Sequence, residues 1–337
     1  MAKYIVKKNG PLWGEIEISG SKNAVLPIMA AALLTDDESE IFEVPALRDV
    51  DVMCKLLRSI GSDVKENYEN GRIVINTQRI KEEQAPYELV KRMRASILVM
   101  GPLLARAGKA KIALPGGCAI GARPIDLHLK GFQALGAEIE HGHGYVEARA
   151  KKLTGGKVYL DFPSVGATEN IMMAAVLADG HTVIENAAEE PEIVDLANFM
   201  NKMGAKVKGA GTDTIRIEGV PALRGTHHAV IPDRIETGTF MVAAAMTRGN
   251  ILLKNVVPDH VKPVIAKLLE CGVSIEDSDE GMRIRGDLQP LVSTDIKTMP
   301  YPGFPTDMQP QFMAMLTTVK GPSVVVETVF ENRYMHV

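Results

Sequence analysis

The sequence is poor in cysteine and in long apolar runs, and each shortage excludes a class of protein. Only three cysteines occur among 337 residues, Cys54, Cys118 and Cys271, too few and too scattered for a disulfide framework or a zinc site. The eight histidines show no metal-ligand or triad spacing, and we expect His141, His143, His227 and His228 to lie in turns. No apolar stretch is long enough to span a bilayer, no signal peptide pattern opens the chain, and the formal net charge of -4 is not that of a nucleic-acid binder. We therefore expect a soluble cytoplasmic protein without nucleic-acid or membrane partners.

What the sequence does contain is an internal repeat. Four segments each close a helix-like run with a glycine and continue as a strand: LLRSIGSDV, FQALGAEIE, FMNKMGAKV and KLLECGVSI. The glycines are Gly61, Gly136, Gly204 and Gly272, separated by 75, 68 and 68 residues, and each stands where a helix C-cap requires a left-handed residue. A chain of this length built from such repeats predicts two domains.

Each repeat also contains a helix without a clear polar face. The segments are KNAVLPIMAAALL, ASILVMGPLLARAG, TENIMMAAVLADG, TGTFMVAAAMTRG and TDMQPQFMAMLTTVKG. A helix that is apolar nearly all round is a buried one, so the pattern predicts helices enclosed by sheets. A further closing glycine would follow Gly272 by about 68 residues, beyond Val337, so we expect the chain to stop within a repeat. A degenerate capping repeat is the alternative.

The second repeat contains a glycine-rich insertion. Its two landmark glycines are 28 residues apart, against 24 and 23 in the next two repeats. The extra residues fall in LPGGCAIGAR, positions 114–123, which include Cys118 and end at Arg123. A mobile active-site loop and a plain surface loop with an inert cysteine both fit, and spacing alone does not separate them.

Polar and charged residues stand at the starts of the apolar helices. Lys22 and Asn23 open the first, Arg94 precedes the second, and Asp307 precedes the fifth. Helix N-termini with a cation nearby bind phosphate or carboxylate, so we expect a small anionic ligand, and equivalent helix ends can converge on one cleft. For Asp307 a simple N-cap or first-turn acid is the alternative.

Motifs along the whole chain, in order, resemble those of the UDP-N-acetylglucosamine 1-carboxyvinyltransferases: SGSKNAVLP, MRAS, LPGGCAIGARPIDLH, SVGATENIM, ENAAEEPEIVD, PDRIETGTF, FPTDMQ and ETVFENRYMHV. The resemblance implies an α/β fold, the inside-out α/β barrel, with two domains of three repeats whose buried helices lie within outer sheets. It assigns residues 22–229 to the N-terminal domain, and residues 1–21 with 230–337 to a second domain that lacks its last one and a half repeats.

Two other interpretations remain open. The 5-enolpyruvylshikimate-3-phosphate synthases share the fold and reaction type, although PGGCAIGARP, FPTDMQ and ETVFENR resemble the UDP-sugar branch. A non-catalytic relative is the second, and the presence of Lys22, Cys118, Arg123 and Asp307 weighs against it. A shortened chain could itself be inactive.

The implied reaction transfers the enolpyruvyl group of phosphoenolpyruvate to the 3-hydroxyl of UDP-N-acetylglucosamine and releases phosphate, the first committed step of peptidoglycan synthesis. By the resemblance, Cys118 donates a proton and can form a covalent adduct with phosphoenolpyruvate, while Asp307 takes the proton of the sugar hydroxyl. Lys22 and Arg123 are the other implied catalytic residues. The reaction needs no metal and no organic cofactor.

The resemblance also implies the residues that bind the two substrates. Lys22, Asn23 and Arg123 would contact phosphoenolpyruvate, with Arg333 in a supporting position. The residues implied for the UDP-sugar are Arg94, Arg123, Pro124, Ile125, Asp126, Leu127, Phe162, Pro163, Ser164, Val165, Asp307 and Val329. The oligomeric state is left open.

Overall fold

The computed structural model describes residues 3, 5–7, 10–113 and 124–337. The helices are α1 (Lys22–Ala31), α2 (Arg48–Ile60), α3 (Tyr87–Val90), α4 (Met100–Ala107), α5 (Asp126–Ala134), α6 (Val165–Ala175), α7 (Pro191–Lys202), α8 (Arg234–Met246), α9 (Lys262–Glu270) and α10 (Gln309–Leu316). Short 3-10 segments span Ala32–Leu34, Tyr68–Asn70, Arg94–Val99, Pro258–Val261 and Thr306–Met308.

The strands are mostly short. They are β1 (Trp13–Glu17), β2 (Glu38–Phe42), β3 (Asp63–Asn67), β4 (Arg72–Asn76), β5 (Lys109–Ala113), β6 (Glu138–Gly142), β7 (Tyr145–Arg149), β8 (Lys157–Tyr159), β9 (His181–Glu185), β10 (Lys206–Lys208), β11 (Thr214–Glu218), β12 (His227–Ala229), β13 (Asn250–Lys254), β14 (Ser274–Ser278), β15 (Gly281–Arg285), β16 (Ile296–Lys297) and β17 (Val325–Val326). The chain forms two compact units: a large unit, Gly20–Ile231, and a small unit, Met1–Ser19 with Pro232–Val337.

The large unit encloses apolar helices between sheets. Its sheets have the strand orders β12-β2-β4-β3, β5-β7-β6 and β10-β11-β9-β8. Helices α1, α4 and α6 are buried over most of their length, because their sequences offer no polar face to solvent. In α6 the burial extends to the polar residues Thr168, Glu169 and Asn170. Buried helices inside outer sheets are what the sequence pattern predicts.

The small unit also packs helices against a sheet. Its four-stranded sheet has the order β1-β13-β15-β14, and a second sheet pairs β16 with β17. Strand β1 runs parallel to β13, with Trp13 opposite Asn250, so the beginning of the chain contributes an edge strand here. Helices α8 and α10 pack against each other, and Phe304 meets Phe312 edge to face at 5.3 Å in the core.

The repeat glycines occupy left-handed turns, as the spacing predicts. Gly61, Gly136, Gly204 and Gly272 have φ angles of 121°, 88°, 106° and 89°. A side chain is strained in that region, so a glycine closes these helices more readily than another residue.

The prediction that four histidines lie in turns is confirmed for His143, which lies between β6 and β7, but it was wrong for the others. His141 lies in β6. His227 and His228 lie in strand β12, which pairs in parallel with β2 and places His228 opposite Ile41. The side chain of His228 is buried, and its Nε2 lies 2.8 Å from Oδ1 of Asp195. Its Nδ1 lies 3.2 Å from Nζ of Lys202. A strand of only three residues forms because a partner strand lies beside it, so the local sequence does not predict it.

Candidate functional site

In the large unit, the candidate phosphate-binding residues lie at the beginnings of helices. Lys22 and Asn23 are the first two residues of α1, whose N-cap is Ser21. Arg94 is the first residue of the 3-10 segment that leads into α4. Backbone N–H groups at such ends lack partners within the helix, and the helix dipole favours negative charge there. The geometry therefore suits an anionic ligand, and the individual roles stay predictions.

Two candidate UDP-sugar segments also precede helices of the large unit. Residues 124–127 form the entry to α5, and Ile125 is the one that is buried among them. Residues 162–165 form the entry to α6, where Ser164 is the N-cap and Phe162 is 45% exposed. Both segments thus combine free backbone groups at a helix start with side chains that solvent can reach.

One buried amide joins the elements that carry these segments. Asn170 Oδ1 accepts a hydrogen bond from the Gly101 amide at 2.7 Å. Its Nδ2 donates to the Ile97 carbonyl at 2.9 Å and lies 3.0 Å from His128 Nδ1. Asn170 belongs to α6, His128 to α5, and the two backbone groups to the stretch that follows Arg94. Sequence reasoning missed Asn170, although a polar residue inside an apolar helix was a visible signal.

Burial changes the charge of two groups near these elements. It lowers the pKa of His128 to about 3, with the positive charge of Arg94 as a second cause. His128 is therefore neutral, and its Nδ1 accepts the hydrogen bond from the Asn170 amide. Burial, together with the carboxylates of Glu192 and Glu190, raises the pKa of Glu169 well above its ordinary value. This region thus carries less charge than its sequence suggests.

Cys118 and Arg123 lie outside the described residues. The acid role of Cys118 and the contact of Arg123 with either substrate stay predictions. Within the described ranges, 10–113 and 124–337 in the main, no group of His, Cys, Asp and Glu side chains is arranged to hold a metal ion. In the same ranges no helix has the length and apolar character needed to cross a bilayer.

In the small unit, Asp307 lies in the 3-10 turn that precedes α10. Pro305 occupies the N-cap position, so Asp307 does not cap this turn. Arg333 Nη2 lies 2.6 Å from Asp307 Oδ1, and Arg333 Nη1 lies 3.5 Å from Thr306 Oγ1. The side chains of Asp307 and Arg333 are 37% and 16% exposed, so this ion pair is partly withdrawn from water. The structure thus pairs two residues that the sequence had placed in the site separately.

Val329 is held by a residue that sequence reasoning missed. Its amide donates to Glu327 Oε1 at 2.8 Å. Glu327 also accepts from the hydroxyl of Thr306, the neighbour of Asp307, at 2.8 Å. The Asp307 turn and the Val329 backbone therefore depend on one carboxylate.

Comparison with known proteins identifies the family. Residues 6–337 match the family of EPSP synthase (3-phosphoshikimate 1-carboxyvinyltransferase). The chain belongs to this family. Within it, UDP-N-acetylglucosamine 1-carboxyvinyltransferase 1 of Caldanaerobacter subterraneus subsp. tengcongensis is 67% identical over 335 residues, which are 99% of this chain and 80% of the relative. UDP-N-acetylglucosamine 1-carboxyvinyltransferase 2 of Carboxydothermus hydrogenoformans is 61% identical over 341 residues, 100% of this chain and 80% of the relative. The resemblance predicted from the motifs is confirmed.

Solved structures of the family show the same fold. The enolpyruvyl transferase NikO from Streptomyces tendae superposes with a TM-score of 0.84 at 20% identity, covering 97% of this chain and 77% of that one. EPSP synthase from Acinetobacter baumannii superposes with a TM-score of 0.71 at 19% identity, covering 95% and 75%. The predicted fold class, the inside-out α/β barrel of the enolpyruvyl transferases, is confirmed.

Proposed function

We propose that this protein transfers the enolpyruvyl group of phosphoenolpyruvate to the 3-hydroxyl of UDP-N-acetylglucosamine. The observation that carries the proposal is the 67% identity, over 99% of the chain, to a relative named for carboxyvinyl transfer to UDP-N-acetylglucosamine. The reaction would commit the sugar nucleotide to peptidoglycan synthesis in the cytoplasm. EPSP synthase gives the family its name, which makes shikimate 3-phosphate the alternative acceptor.

The proposed chemistry is an addition followed by an elimination. In the addition, the sugar oxygen bonds to C2 of phosphoenolpyruvate, the methylene carbon gains a proton, and the hydroxyl proton passes to a base. In the elimination, the C2–O bond to phosphate breaks and the methyl group loses a proton, which restores the double bond. We assign the acid to Cys118 and the base to Asp307.

Contacts in the small unit support the assignment of Asp307. Its carboxylate keeps one oxygen against Arg333, at 2.6 Å, which fixes the orientation of the side chain. The other oxygen has no hydrogen bond or ion pair within the described residues. A carboxylate held on one side is oriented for a proton on the other.

In the large unit, we assign Lys22, Asn23 and Arg123 to phosphoenolpyruvate. We assign the UDP-sugar to Arg94, to residues 124–127 and 162–165, and to Asp307 and Val329 of the small unit. For Lys22, Asn23, Arg94 and the two segments, the support is their location at helix starts, where backbone N–H groups and the helix dipole favour the anionic groups that both substrates carry. The assignments of Arg123 and Val329 rest on the resemblance.

The test is phosphate release by the purified chain from phosphoenolpyruvate, with either UDP-N-acetylglucosamine or shikimate 3-phosphate as acceptor. We expect release that depends on the UDP-sugar, and a product heavier than that sugar by one enolpyruvyl group. Release that depends on shikimate 3-phosphate alone would favour the alternative. No release with either acceptor would contradict the proposal for this chain.

A further inference from the structure

Glu327 uses both carboxylate oxygens within the small unit. Oε1 accepts hydrogen bonds from Thr298 Oγ1 and from the Val329 amide, both at 2.8 Å, and from the Phe330 amide at 3.0 Å. Oε2 accepts from Thr306 Oγ1 at 2.8 Å. The two oxygens thus serve different segments: one the backbone at Val329, the other the turn that contains Asp307.

The Oε2 side continues as a chain of contacts to Asp307. The Thr306 hydroxyl donates its only hydrogen to Glu327, so its lone pairs face Arg333 Nη1 at 3.5 Å. The other end of the same guanidinium lies 2.6 Å from Asp307 Oδ1. The contacts thus run from the Glu327 carboxylate through the Thr306 hydroxyl and the Arg333 guanidinium to the Asp307 carboxylate. Because Glu327 can only accept, it determines that the Thr306 hydroxyl donates toward it.

The backbone of Glu327 is fixed as well. Its amide donates to the Tyr334 hydroxyl at 2.9 Å, and that hydroxyl donates to the Val325 carbonyl at 2.9 Å. The next residue, Thr328, is bound through its amide to Thr298 Oγ1 at 2.9 Å. Glu327 is therefore anchored on both sides, and a residue with so little freedom can orient its neighbours.

We propose that Glu327 is a positioning residue for the transfer reaction, one that orients Arg333 and Asp307 through Thr306 and shapes the UDP-sugar contact through the Val329 amide. The inference rests on the proposed function. In this proposal Oε2 orients Arg333 and Asp307, and Oε1 shapes the UDP-sugar contact. A substitution that removes the bonds of one oxygen only can therefore test the two effects separately.

Glu327→Gln separates the two effects. The amide oxygen can keep the three bonds of Oε1, while the NH2 group replaces Oε2 and cannot accept from Thr306. We expect kcat to fall roughly 10- to 100-fold, the scale for a misplaced reacting group. The effect on the affinity for UDP-N-acetylglucosamine should be smaller, because Asp307 is only one of its assigned contacts and the Val329 amide keeps its bond. Glu327→Ala removes both sets of bonds, so we expect the same loss in kcat together with a weaker affinity for the UDP-sugar.

Thr306 gives a second test of the same link. Thr306→Val removes the hydroxyl at nearly constant shape and should lower kcat as Glu327→Gln does. Thr306→Ser keeps the hydroxyl, so its kcat should stay close to that of the wild type. The matched control is Thr294→Val, which breaks another threonine–glutamate hydrogen bond of the small unit, from Thr294 Oγ1 to Glu270 Oε2 at 2.6 Å. The control should leave kcat unchanged. Wild-type kcat in Glu327→Gln, or equal loss in Thr306→Ser and Thr306→Val, would overturn the proposal.

A separate measurement distinguishes failure of this inference from failure of the proposed function. If the wild-type chain transfers no enolpyruvyl group, the proposed function is contradicted, and amide hydrogen exchange at Val329 and Phe330 then decides about Glu327. The geometry predicts protection in wild type and in Glu327→Gln, and faster exchange in Glu327→Ala. Equal exchange in all three proteins would contradict the positioning role.

Discussion

Replacing Asn170 by Asp should destabilise the large unit strongly, although the two side chains have nearly the same shape. An aspartate can still accept from the Gly101 amide. Its second oxygen, however, would face the Ile97 carbonyl and His128 Nδ1, which both accept hydrogen bonds from the present NH2 group. Asn170 is fully buried, so neither acceptor gains water in exchange. At about 1–3 kcal/mol for each buried group left without a partner, the loss of two partners gives an expected cost of about 2–6 kcal/mol.

Asn201 provides the matched control. Its side chain accepts from the Val207 amide at 2.8 Å and donates to the Val207 carbonyl at 2.9 Å, so like Asn170 it makes one bond of each kind to the backbone. Unlike Asn170, Asn201 is exposed. Water can replace the lost donor, so Asn201→Asp should cost less than about 1 kcal/mol.

The assay is amide hydrogen exchange in peptides that cover α6 and the stretch 94–107, which gives the free energy of opening for the large unit. We expect the loss in Asn170→Asp to exceed that in Asn201→Asp several-fold. Losses of equal size would show that the buried amide does not join these elements.

Three further predictions concern titrating groups and the proposed acid. Because the pKa of folded His128, about 3, lies below its ordinary 6.5, its stabilising contribution is complete above pH 6.5 and is lost as the pH falls toward 3, by at most about 5 kcal/mol. In His128→Asn, the free energy of unfolding in urea should therefore fall less steeply as the pH is lowered below 6.5. An equally steep fall in the variant would contradict this account. Because the pKa of Glu169 is raised, its contribution is complete below 4.5 and is lost as the pH rises. Glu169→Gln should then be more stable than wild type at about pH 8 but not at about pH 4, and equal stability at both would argue against a buried protonated acid. Cys118→Ser should abolish turnover while calorimetry still detects UDP-sugar binding, since a hydroxyl is a far weaker acid than a thiol. Cys118→Asp should retain activity, because a carboxylic acid can donate a proton from the same place. Unchanged turnover in Cys118→Ser would remove Cys118 from the acid role.

The sequence predicted those parts of the fold that depend on local chemistry. Apolar helices such as α1 and α6 had to be buried because they have no polar face, and glycines such as Gly204 mark helix ends because a left-handed residue is needed there. The end of the apolar helix α8 in the fourth repeat uses a different residue. There the left-handed residue is Arg248, and Gly249 instead allows close approach of the Leu12 backbone, since a Cβ would lie 2.4 Å from the Leu12 oxygen.

The parts that could not be predicted depend on partners distant in sequence. The strand at His228 exists because β2 lies beside it, and Asp195 supplies the hydrogen bond that allows the ring to be buried. Glu327 acquires its role only when the chain brings residues 298 and 306 to it. The sequence around Glu327 does not indicate these hydrogen bonds, because their partners lie 29 and 21 residues away along the chain. The roles assigned to the stretch 114–123 stay predictions.

Two aspartates show why a helix start alone does not identify a functional residue. Asp233 and Asp307 both stand near the start of a mainly apolar helix of the small unit, and the sequence signal is the same for each. Asp233 is the N-cap of α8, and its Oδ1 accepts from the Ile235 and Glu236 amides at 2.8 and 3.0 Å. Capping of this kind stabilises a helix and directs the carboxylate back onto its own backbone.

Asp307 does not cap its turn, because Pro305 stands at the N-cap position and the turn has no side-chain cap hydrogen bond. Its carboxylate is directed instead to Arg333, and the neighbouring Thr306 to Glu327. The bodies of α8 and α10 are mainly apolar, so the charged groups of this region stand near the helix starts. Which of those groups acts in chemistry then depends on whether the backbone or another side chain holds it. By that criterion Asp307 differs from Asp233, a distinction that the repeat pattern cannot make, and the assignment of Asp307 as the base stays a proposal.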